Sequence, residues 1–313
     1  RENCGFRFAD FESNQNKPDM PGLEFKLKPV LLNTNLSSSN TDNKQSHIST
    51  AKLFLLQIDN FRANGCALRK PIPEGGRASI EYVFTGIDLA LNGTVDGLVT
   101  APINKEAVKA GGFDYPGHTE LLKERTNSEK VVMLMVGDKL RVAFVTSHVS
   151  LKKVPELINI DNIFSTIMIT AAALKKYFQF NDPRIAVCGL NPHSGEAGRF
   201  GTEELDFVIP AIEKAKGKGI NCIGPVAPDV VFFKARKGEY DAVIALYHDQ
   251  GAIPLKLLAF ESGVNITLGI PIIRTSPDHG TAYDIAWSNN ANPGSMIEAV
   301  KFAIMMAKKK VTA

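Results

Sequence analysis

The chain has 313 residues, of which 44% are hydrophobic and 22% charged, and its formal net charge is +3. This length and balance are typical of a globular protein with two α/β lobes. The charge is too small to indicate a nucleic-acid or anionic-membrane partner, and no apolar run approaches the roughly 20 residues of a membrane span. The N-terminal stretch RENCGFRFADFESNQ lacks the apolar core of a signal peptide. We therefore expect a cytoplasmic protein.

The first fifty residues differ from the rest of the chain. The stretch NTNLSSSNTDNKQSH, residues 33–47, is polar and rich in Ser and Asn. Such a composition predicts loop or disorder, and no regular element is predicted before Ile48.

Beyond residue 50, short apolar strands alternate with amphipathic helices. The predicted helices cover residues 78–92, 162–178 and 297–310. A further helix follows Thr202, which is predicted to cap it. The predicted strands cover residues 95–101, 131–136, 141–146, 184–190 and 241–246. This alternation predicts an α/β fold with a largely parallel or mixed sheet.

The four cysteines are scattered along the chain without CxxC spacing. They are Cys4, Cys66, Cys188 and Cys222. We expect them to be reduced, as is usual for a cytosolic protein, rather than paired in disulfides.

Three of the six histidines share one context, at or just past the end of an apolar strand. They are His148 in RVAFVTSH, His193 in RIAVCGLNPH and His248 in DAVIALYH. Ligands of open α/β sheets bind beyond the carboxyl ends of the strands, so the three side chains are predicted to converge. Neutral imidazoles from separated positions are typical ligands of a catalytic divalent metal. The alternative is that each is an ordinary polar residue at a strand end.

Two carboxylates lie near these histidines in the sequence. Asp249 follows His248 directly, and Asp229 lies in GPVAPD. Either carboxylate is suited to orient a metal-bound histidine. Asp249 equally suits a turn and Asp229 a helix cap, and the residues alone leave both interpretations open.

The stretch YPGHTELL, residues 115–122, suggests an anion site. Gly117 permits an unusual turn, and Thr119 is predicted to cap a helix that begins at Glu120. A helix N-terminus that carries His118 and a hydroxyl is suited to a phosphate or a carboxylate. Simple capping would explain Thr119 but not His118.

Further downstream, two cations flank an apolar run. Lys256 precedes the run GVNITLGIPII, which contains Asn265, and Arg274 follows it. A lysine and an arginine in this setting suit recognition of an anionic group, although single cations are more often solvated at the surface.

The stretch SPDHGTAYDIA, residues 276–286, contains His279, Gly280 and Asp284. Its glycine permits a sharp backbone turn. The chain has neither a GxGxxG fingerprint nor a Walker loop, which disfavours a Rossmann-type dinucleotide site.

Together, GHTE, VTSHVSL, LNPHSGE, YHDQG, GVNITLG and RTSPDHGTAYDIA resemble the 4-hydroxythreonine-4-phosphate dehydrogenase family of vitamin B6 biosynthesis. The resemblance runs from about Pro73 to the C-terminus, and its motifs are long and specific. It implies a cytoplasmic enzyme that oxidises 4-phosphooxy-L-threonine with NAD or NADP and a divalent metal (Zn²⁺, Mg²⁺ or Co²⁺). The 3-oxo product would lose CO2.

The resemblance also implies roles for individual residues. The metal ligands would be His148, His193 and His248. The substrate would meet His118, Thr119, Lys256, Asn265 and Arg274. The cofactor would meet His279, Gly280, Asp284 and Asn292. The proton acceptor would be Asp249, Asp229 or a metal-bound water.

The implied fold is that of isocitrate and isopropylmalate dehydrogenases, with two α/β lobes, mixed sheets flanked by helices, and the site in the cleft between the lobes. The cofactor-side lobe would consist of residues 51–105 and 262–313. Residues 106–261 would form the second lobe, with the metal, the substrate and the contacts of a homodimer that shares its active sites.

Two segments depart from the family pattern. The family's Gly-Asp-Pro-Ala-Gly-Ile-Gly-Pro-Glu stretch, near the cofactor in related folds, has no counterpart in residues 1–72. Residues 1–50 are therefore expected to be diverged or truncated. After DIA the family tends to have Gly-Lys-Gly, whereas this chain has WSN, so Trp287 is placed to alter cofactor affinity.

These observations leave two alternatives open. Within the family, the same residues would serve oxidation of 4-phospho-D-threonate or 4-phospho-D-erythronate. Outside enzymology, the chain would be a degenerate homologue that binds a phosphorylated metabolite without turnover.

Overall fold

A computed structural model describes residues 25–30, 53–58, 60, 61 and 69–310. The chain divides into two compact units, one of residues 19–67 and one that contains residues 68–313 together with 1–18. In the smaller unit, β1 (Phe25–Val30) pairs antiparallel with β2 (Leu53–Ile58). Strand β1 lies in a segment for which the sequence predicts no regular element. The predicted polar segment 33–47, Cys4 and Cys66 lie outside the described residues.

The main unit is built on one mixed sheet of eight strands. In chain order they are β3 (Leu98–Val99), β4 (Val132–Gly137), β5 (Leu140–Phe144), β6 (Ile185–Cys188), β7 (Cys222–Val226), β8 (Ala242–Ala245), β9 (Val264–Leu268) and β10 (Arg274–Pro277). Across the sheet the order is β3-β10-β9-β4-β5-β8-β6-β7. Strands β5, β8, β6 and β7 are parallel, whereas β4 pairs antiparallel with β5 and β9. The carboxyl ends of β5, β8 and β6 therefore share one edge.

Helices flank this sheet. They are α1 (Pro73–Leu91), α2 (Lys105–Ala110), α3 (His118–Arg125), α4 (Val154–Leu157), α5 (Ile160–Phe178), α6 (Ile209–Lys216), α7 (Pro228–Arg236), α8 (His248–Ala259) and α9 (Gly294–Lys310). A π-helical turn, Glu204–Val208, precedes α6, and short 3-10 turns lie at Leu151–Lys153, Pro192–Gly195 and Tyr283–Ile285. The predicted α/β fold with a mixed sheet is confirmed.

The central strands are buried on both faces, which explains their continuous apolar runs. All six residues of β4 are buried. Val132 and Leu134 belong to an apolar cluster with side chains of α5, α6 and α9, whereas Met133 and Met135 belong to a cluster with α7 and α8. A third cluster joins α1, α2 and α3. Close packing on both faces thus leaves the strands little freedom to shift, and it fixes the edge at which β5, β8 and β6 end.

Four helices begin earlier than the sequence predicts, by two or three residues in α3, α5 and α9 and by five in α1. Helix α1 begins at Pro73, which suits a first turn because its missing N–H needs no partner there. Gly76 lets α1 approach α2 so closely that a Cβ would overlap the Ala107 carbonyl. Helix α3 begins at His118 with Gly117 as its N-cap, so the prediction that Thr119 caps a helix starting at Glu120 is wrong.

The predicted cap at Thr202 is also wrong. Glu203, not Thr202, precedes the π-helical turn as its N-cap, and no side chain caps it. The Thr202 hydroxyl instead donates to the Asp206 carboxylate at 2.6 Å. The acidic residues after Thr202 serve a different purpose, because Glu204 is buried and binds the loop after β6.

Two predictions from composition concern membranes and cysteines. Among the residues that the structure describes, no single helix has the length and apolar content to cross a membrane. Leu151–Leu157 and Ile160–Phe178 pass that test only together, across a 90° bend. Cys188 and Cys222 are buried free thiols, and burial raises the pKa of each.

Candidate functional site

Two of the three predicted metal ligands lie side by side at the carboxyl edge of the sheet. His148 follows β5 and His248 is the first residue of α8, and the centroids of their rings are 5.9 Å apart. Strands β5 and β8 are parallel neighbours, with Phe144 opposite Ala245. The two histidines meet because each follows the end of one of these strands.

Burial and a neighbouring cation favour a neutral imidazole at His148. His148 is exposed, yet partial burial of its ring lowers its pKa. Lys105 and His248 lower that pKa further, whereas Glu120 raises it. His248 Nδ1 lies 2.7 Å from Asp249 Oδ1. With the proton on Nδ1, that carboxylate fixes the ring and leaves the Nε2 lone pair for a ligand.

The third predicted ligand is not grouped with this pair. His193 is exposed on the loop after β6, with its ring centroid 6.2 Å from that of Phe200. His193 and Ser194 have φ values of 52° and 55°, which non-glycine residues rarely adopt. Within residues 69–310 and the two described strands before them, no three His, Cys, Asp or Glu side chains are placed to hold a metal ion. The described part of one chain thus brings together two imidazoles suited to a divalent metal, without the third ligand that a catalytic site needs.

Arg274, the first residue of β10, is a buried cation that is only 2% exposed. Its guanidinium donates to Thr100 Oγ1 at 2.6 and 3.1 Å and to Thr267 Oγ1 at 3.0 Å. In the described part of the chain its partners are thus neutral hydroxyls, and burial lowers its pKa to about 9. A buried cation is costly unless an anion offsets its desolvation. This arrangement favours an anionic ligand, and the expectation of a solvated surface charge is wrong.

His118 belongs to the same site. Burial, and then the positive charge of Arg274, lower the pKa of His118 to about 3, so its imidazole is neutral. Among the described residues nothing hydrogen-bonds to its buried Nε2 atom or to the buried Oε2 atom of Glu120. Such atoms are rare and often mark a ligand position. Thr119 lies in the first turn of α3, and this end of a helix attracts anions.

Lys256 and Asn265 are placed differently from each other. Lys256 is half-buried on α8, and its Nζ lies 3.3 Å from Asp278 Oδ2. Burial raises the pKa of Asp278, whereas Lys256, His248 and His279 lower it, so this carboxylate interacts with one member of the histidine pair, His248. Asn265 lies on β9 two residues before Thr267, so both side chains are on one face of the sheet.

Most of the remaining predicted residues are exposed. Asp229 is exposed in the first turn of α7. His279 and Asp284 are exposed on the segment after β10, where His279 Nδ1 lies 2.9 Å from the Gly280 carbonyl oxygen. Asn292 Oδ1 accepts a hydrogen bond from the Gly294 amide at 2.8 Å, so it has a capping role at α9.

Several residues of the site are absent from the sequence-based prediction. Asp278 lies in SPDHGTAYDIA beside His279, and Glu120 lies in GHTE near His118. The nearby histidine is the sequence signal that could have identified each carboxylate. Thr100 had no such signal, because 174 positions separate it from Arg274 and only the pairing of β3 with β10 brings them together. Gln250 and Glu204 bind backbone groups and carry no chemical signature.

The fold and site define a class: an α/β enzyme with an imidazole pair at a sheet edge and a buried place for an anion. A 4-hydroxythreonine-4-phosphate dehydrogenase of Desulforapulum autotrophicum is 51% identical over 237 residues, 76% of this chain and 70% of the relative. A D-threonate 4-phosphate dehydrogenase of Pectobacterium atrosepticum is 50% identical over 252 residues, 80% of this chain and 77% of the relative. The class is therefore that of NAD-dependent dehydrogenases.

A solved structure agrees. The crystal structure of 4-hydroxythreonine-4-phosphate dehydrogenase from Klebsiella pneumoniae matches with a TM-score of 0.71 at 43% identity, covering 78% of this chain and 74% of that one. The family model of the pyridoxal phosphate biosynthetic protein PdxA matches residues 21–303, and the chain belongs to this family. The match begins before Pro73, so the resemblance extends further towards the N-terminus than the motifs indicate. The predicted family is confirmed, whereas the lobe boundaries and residue roles stay predictions.

Proposed function

We propose that the chain catalyses the metal-dependent, NAD-linked oxidation of 4-phosphooxy-L-threonine, after which the 3-oxo product loses CO2. The observation that carries this proposal is the buried Arg274 with neutral partners beside His118. A phosphate dianion would offset the buried charge, and a guanidinium matches phosphate geometry in a bidentate way. The alternative substrates, 4-phospho-D-threonate and 4-phospho-D-erythronate, carry the same phosphate. These alternatives are supported by the D-threonate 4-phosphate dehydrogenase of Pectobacterium atrosepticum, whose 50% identity to this chain nearly equals the 51% of the Desulforapulum relative.

The phosphate end of the substrate would lie between Arg274 and the amino end of α3. The unpartnered Nε2 atom of His118 and the hydroxyl of Thr119 would complete its hydrogen bonds. Asn265 would bind from the neighbouring face of β9. Lys256, already close to Asp278, would neutralise the carboxylate end of the substrate.

The reacting end would lie at the histidine pair. His148 and His248 would hold the divalent metal, with His193 as the third ligand. When bound, such an ion supplies Lewis-acid activation of the substrate hydroxyl and of the later ketone. Asp249 would orient His248 through the 2.7 Å contact, and Asp249 or Asp229 would accept the hydroxyl proton.

A homodimer would complete this site. Large apolar side chains are exposed on α7, on α8 and just after α8, including Phe233 at 64%, Leu257 at 84% and Phe260 at 76%. Exposed apolar patches of this kind mark protein interfaces. Helix α8 begins at His248, so a second copy covering it would lie beside the pair. His193 from that copy would supply the third imidazole, which the described residues of one chain do not bring to the pair.

The cofactor would lie along the segment after β10. His279, Gly280, Asp284 and Asn292 are exposed there and accessible to NAD or NADP. Trp287, which is 72% exposed on the same segment, would contact the cofactor and change its affinity.

Activity measurements on the purified full chain test the proposal. Metal-free protein would be reloaded with Zn²⁺, Mg²⁺ or Co²⁺ and assayed for NADH formation with 4-phosphooxy-L-threonine and with 4-phospho-D-threonate. We expect metal-dependent turnover with the first substrate. Turnover with the second alone would favour the alternative substrate. Absence of turnover with either, while phosphorylated ligand still raises the Tm, would favour a binding protein without activity.

A further inference from the structure

Gln250, in the YHDQG motif, has no role in the proposed function, yet it is only 7% exposed. Its side-chain amide makes two hydrogen bonds in different directions. Oε1 accepts from the Leu246 backbone amide at 2.7 Å, and Nε2 donates to the Gly189 carbonyl at 2.7 Å. A buried glutamine that satisfies two backbone groups on separate segments fixes the distance between those segments.

The two segments are the ones that lead to His193 and His248. Leu246 is the residue after β8, two positions before His248, and Gly189 is the residue after β6. The regular pairing of β6 with β8 ends at Val187 and Ile244. Gln250 therefore links the two segments beyond the last paired residues of β6 and β8. Without this link the two segments would be free to separate there.

The same edge is held from the other side by Thr146. Its hydroxyl donates to the Leu246 carbonyl at 2.7 Å, and its amide donates to the same oxygen at 3.2 Å. Leu246 is thus bound through its carbonyl to the segment of His148 and through its amide to Gln250. One continuous series of hydrogen bonds joins the three segments that carry the predicted metal ligands.

The loop of His193 has a second anchor. Glu204, which is 2% exposed, accepts from the amides of Leu190 and Asn191, each at 2.7 Å. The loop that follows includes His193 and Ser194 at positive φ. This unfavourable backbone conformation persists only where several surrounding contacts hold it, and the hydrogen bonds of Glu204 are among them. Gln250 binds the start of this loop and Glu204 its next two residues.

We propose that Gln250 is a positioning residue, which holds the start of the His193 loop against the His248 segment of the same chain and thereby fixes where each chain presents its metal ligands in the shared site. This inference rests on the proposed function, because it takes these histidines as ligands. Residues that orient metal ligands typically change metal affinity 10–100-fold when they are replaced.

Two substitutions separate the two bonds of Gln250. Gln250→Met keeps the length of the side chain and removes both bonds. Gln250→Glu keeps an acceptor for the Leu246 amide but loses the donor to Gly189. Because only the Gly189 bond reaches the second segment, both variants should weaken Co²⁺ binding by about 10–100-fold in a chelator competition, and both should alter the Co²⁺ absorption spectrum.

Ile163→Val provides the matched control. Ile163 is fully buried on α5, and its apolar side chain takes no part in the hydrogen bonds that join the histidine segments, so the variant lowers the Tm through packing alone. It should leave Co²⁺ affinity and spectrum as in the wild type. Gln250 variants that fold and bind Co²⁺ with wild-type affinity and spectrum would overturn the proposal. Failure of both to fold would also overturn it, since Gln250 would then serve stability.

Hydrogen exchange of the metal-free protein separates this inference from the proposed function. In both Gln250 variants, exchange should accelerate in peptides covering residues 189–201, and Ile163→Val should leave it unchanged. A wild-type protein that binds no Co²⁺ would contradict the proposed metal site. The exchange result would then decide alone whether Gln250 holds the loop, and unchanged exchange would overturn the positioning role.

Discussion

The buried site of Arg274 and the exposed segment after β10 both carry predicted ligand-binding residues. The two regions differ in solvent exposure and therefore in what their charged groups cost the fold. Arg274 is 2% exposed and has hydroxyl partners, so its desolvation has no anionic compensation among the described residues. His279 and Asp284 are exposed, and solvent satisfies them at no cost to the fold. Burial thus supplies an independent argument for function in the first region, whereas the second depends on resemblance to relatives.

The histidine pair should show the largest contrast with the exposed segment. His248→Ala removes one of two adjacent imidazoles, so we expect it to abolish metal content and turnover. His279→Ala, on the exposed segment, should keep the metal content of the wild type. Metal analysis of the purified variants checks this expectation. Unchanged metal stoichiometry in His248→Ala would show that the pair is not the metal site.

The next largest effect should come from Arg274→Met. Loss of a buried charge that binds substrate costs about 2–5 kcal/mol, so kcat/KM should fall by roughly 30- to 5,000-fold. The Tm should not fall, because a methionine replaces a cation that has no anionic partner. Lys301→Met, which removes a surface cation from α9, is the control and should have wild-type kinetics. Wild-type kcat/KM in Arg274→Met would contradict the anion site.

A smaller effect is expected on the exposed segment. Asp284→Ala should raise the KM for NAD⁺ about tenfold, equivalent to roughly 1.4 kcal/mol of binding free energy, with little change in kcat. Asp161→Ala, another exposed acidic residue, should leave that KM unchanged. Initial rates at varied NAD⁺ concentration distinguish the two variants. An unchanged KM in Asp284→Ala would place the cofactor elsewhere.

The last prediction concerns stability against pH rather than binding or activity. The pKa of His118 is about 3 in the folded protein and about 6.5 when unfolded, so between these values the unfolded state binds more protons. Acidification from pH 6.5 towards 3 should therefore destabilise the protein, by up to about 1.4 kcal/mol per pH unit from this group. His118→Gln should remove that contribution. Urea titrations at several pH values measure it, and equal slopes for both proteins would contradict the burial of a neutral imidazole.

From the sequence, the positions of the chemically active side chains were easier to predict than the contacts that hold them in place. Strand-end patterns placed His148 and His248 correctly, because parallel neighbours end at one edge. The partners of Arg274 were not predictable, since their contacts depend on strand order rather than on local pattern.

Local signals failed where tertiary contacts override them. The capping rule assigned Thr119 to a cap, but Gly117 takes that position and the helix starts a residue earlier than Thr119. The rule for acidic residues placed Glu204 in a first turn, where it does lie. That rule gave no sign that Glu204 is buried and binds the loop after β6. The error at Thr119 and the missed contacts of Glu204 have one cause, because a side chain has several possible partners and packing selects among them.

Calorimetric binding of a phosphorylated substrate and its dephosphorylated analogue to the full chain, with metal and without NAD⁺, tests the central claim most directly. If Arg274 and His118 hold the phosphate, 4-phosphooxy-L-threonine should bind the wild type at least about 100-fold more tightly than 4-hydroxy-L-threonine, a difference of roughly 3 kcal/mol. Arg274→Met should lose most of that difference. Equal affinity of the wild type for the two compounds would contradict the account.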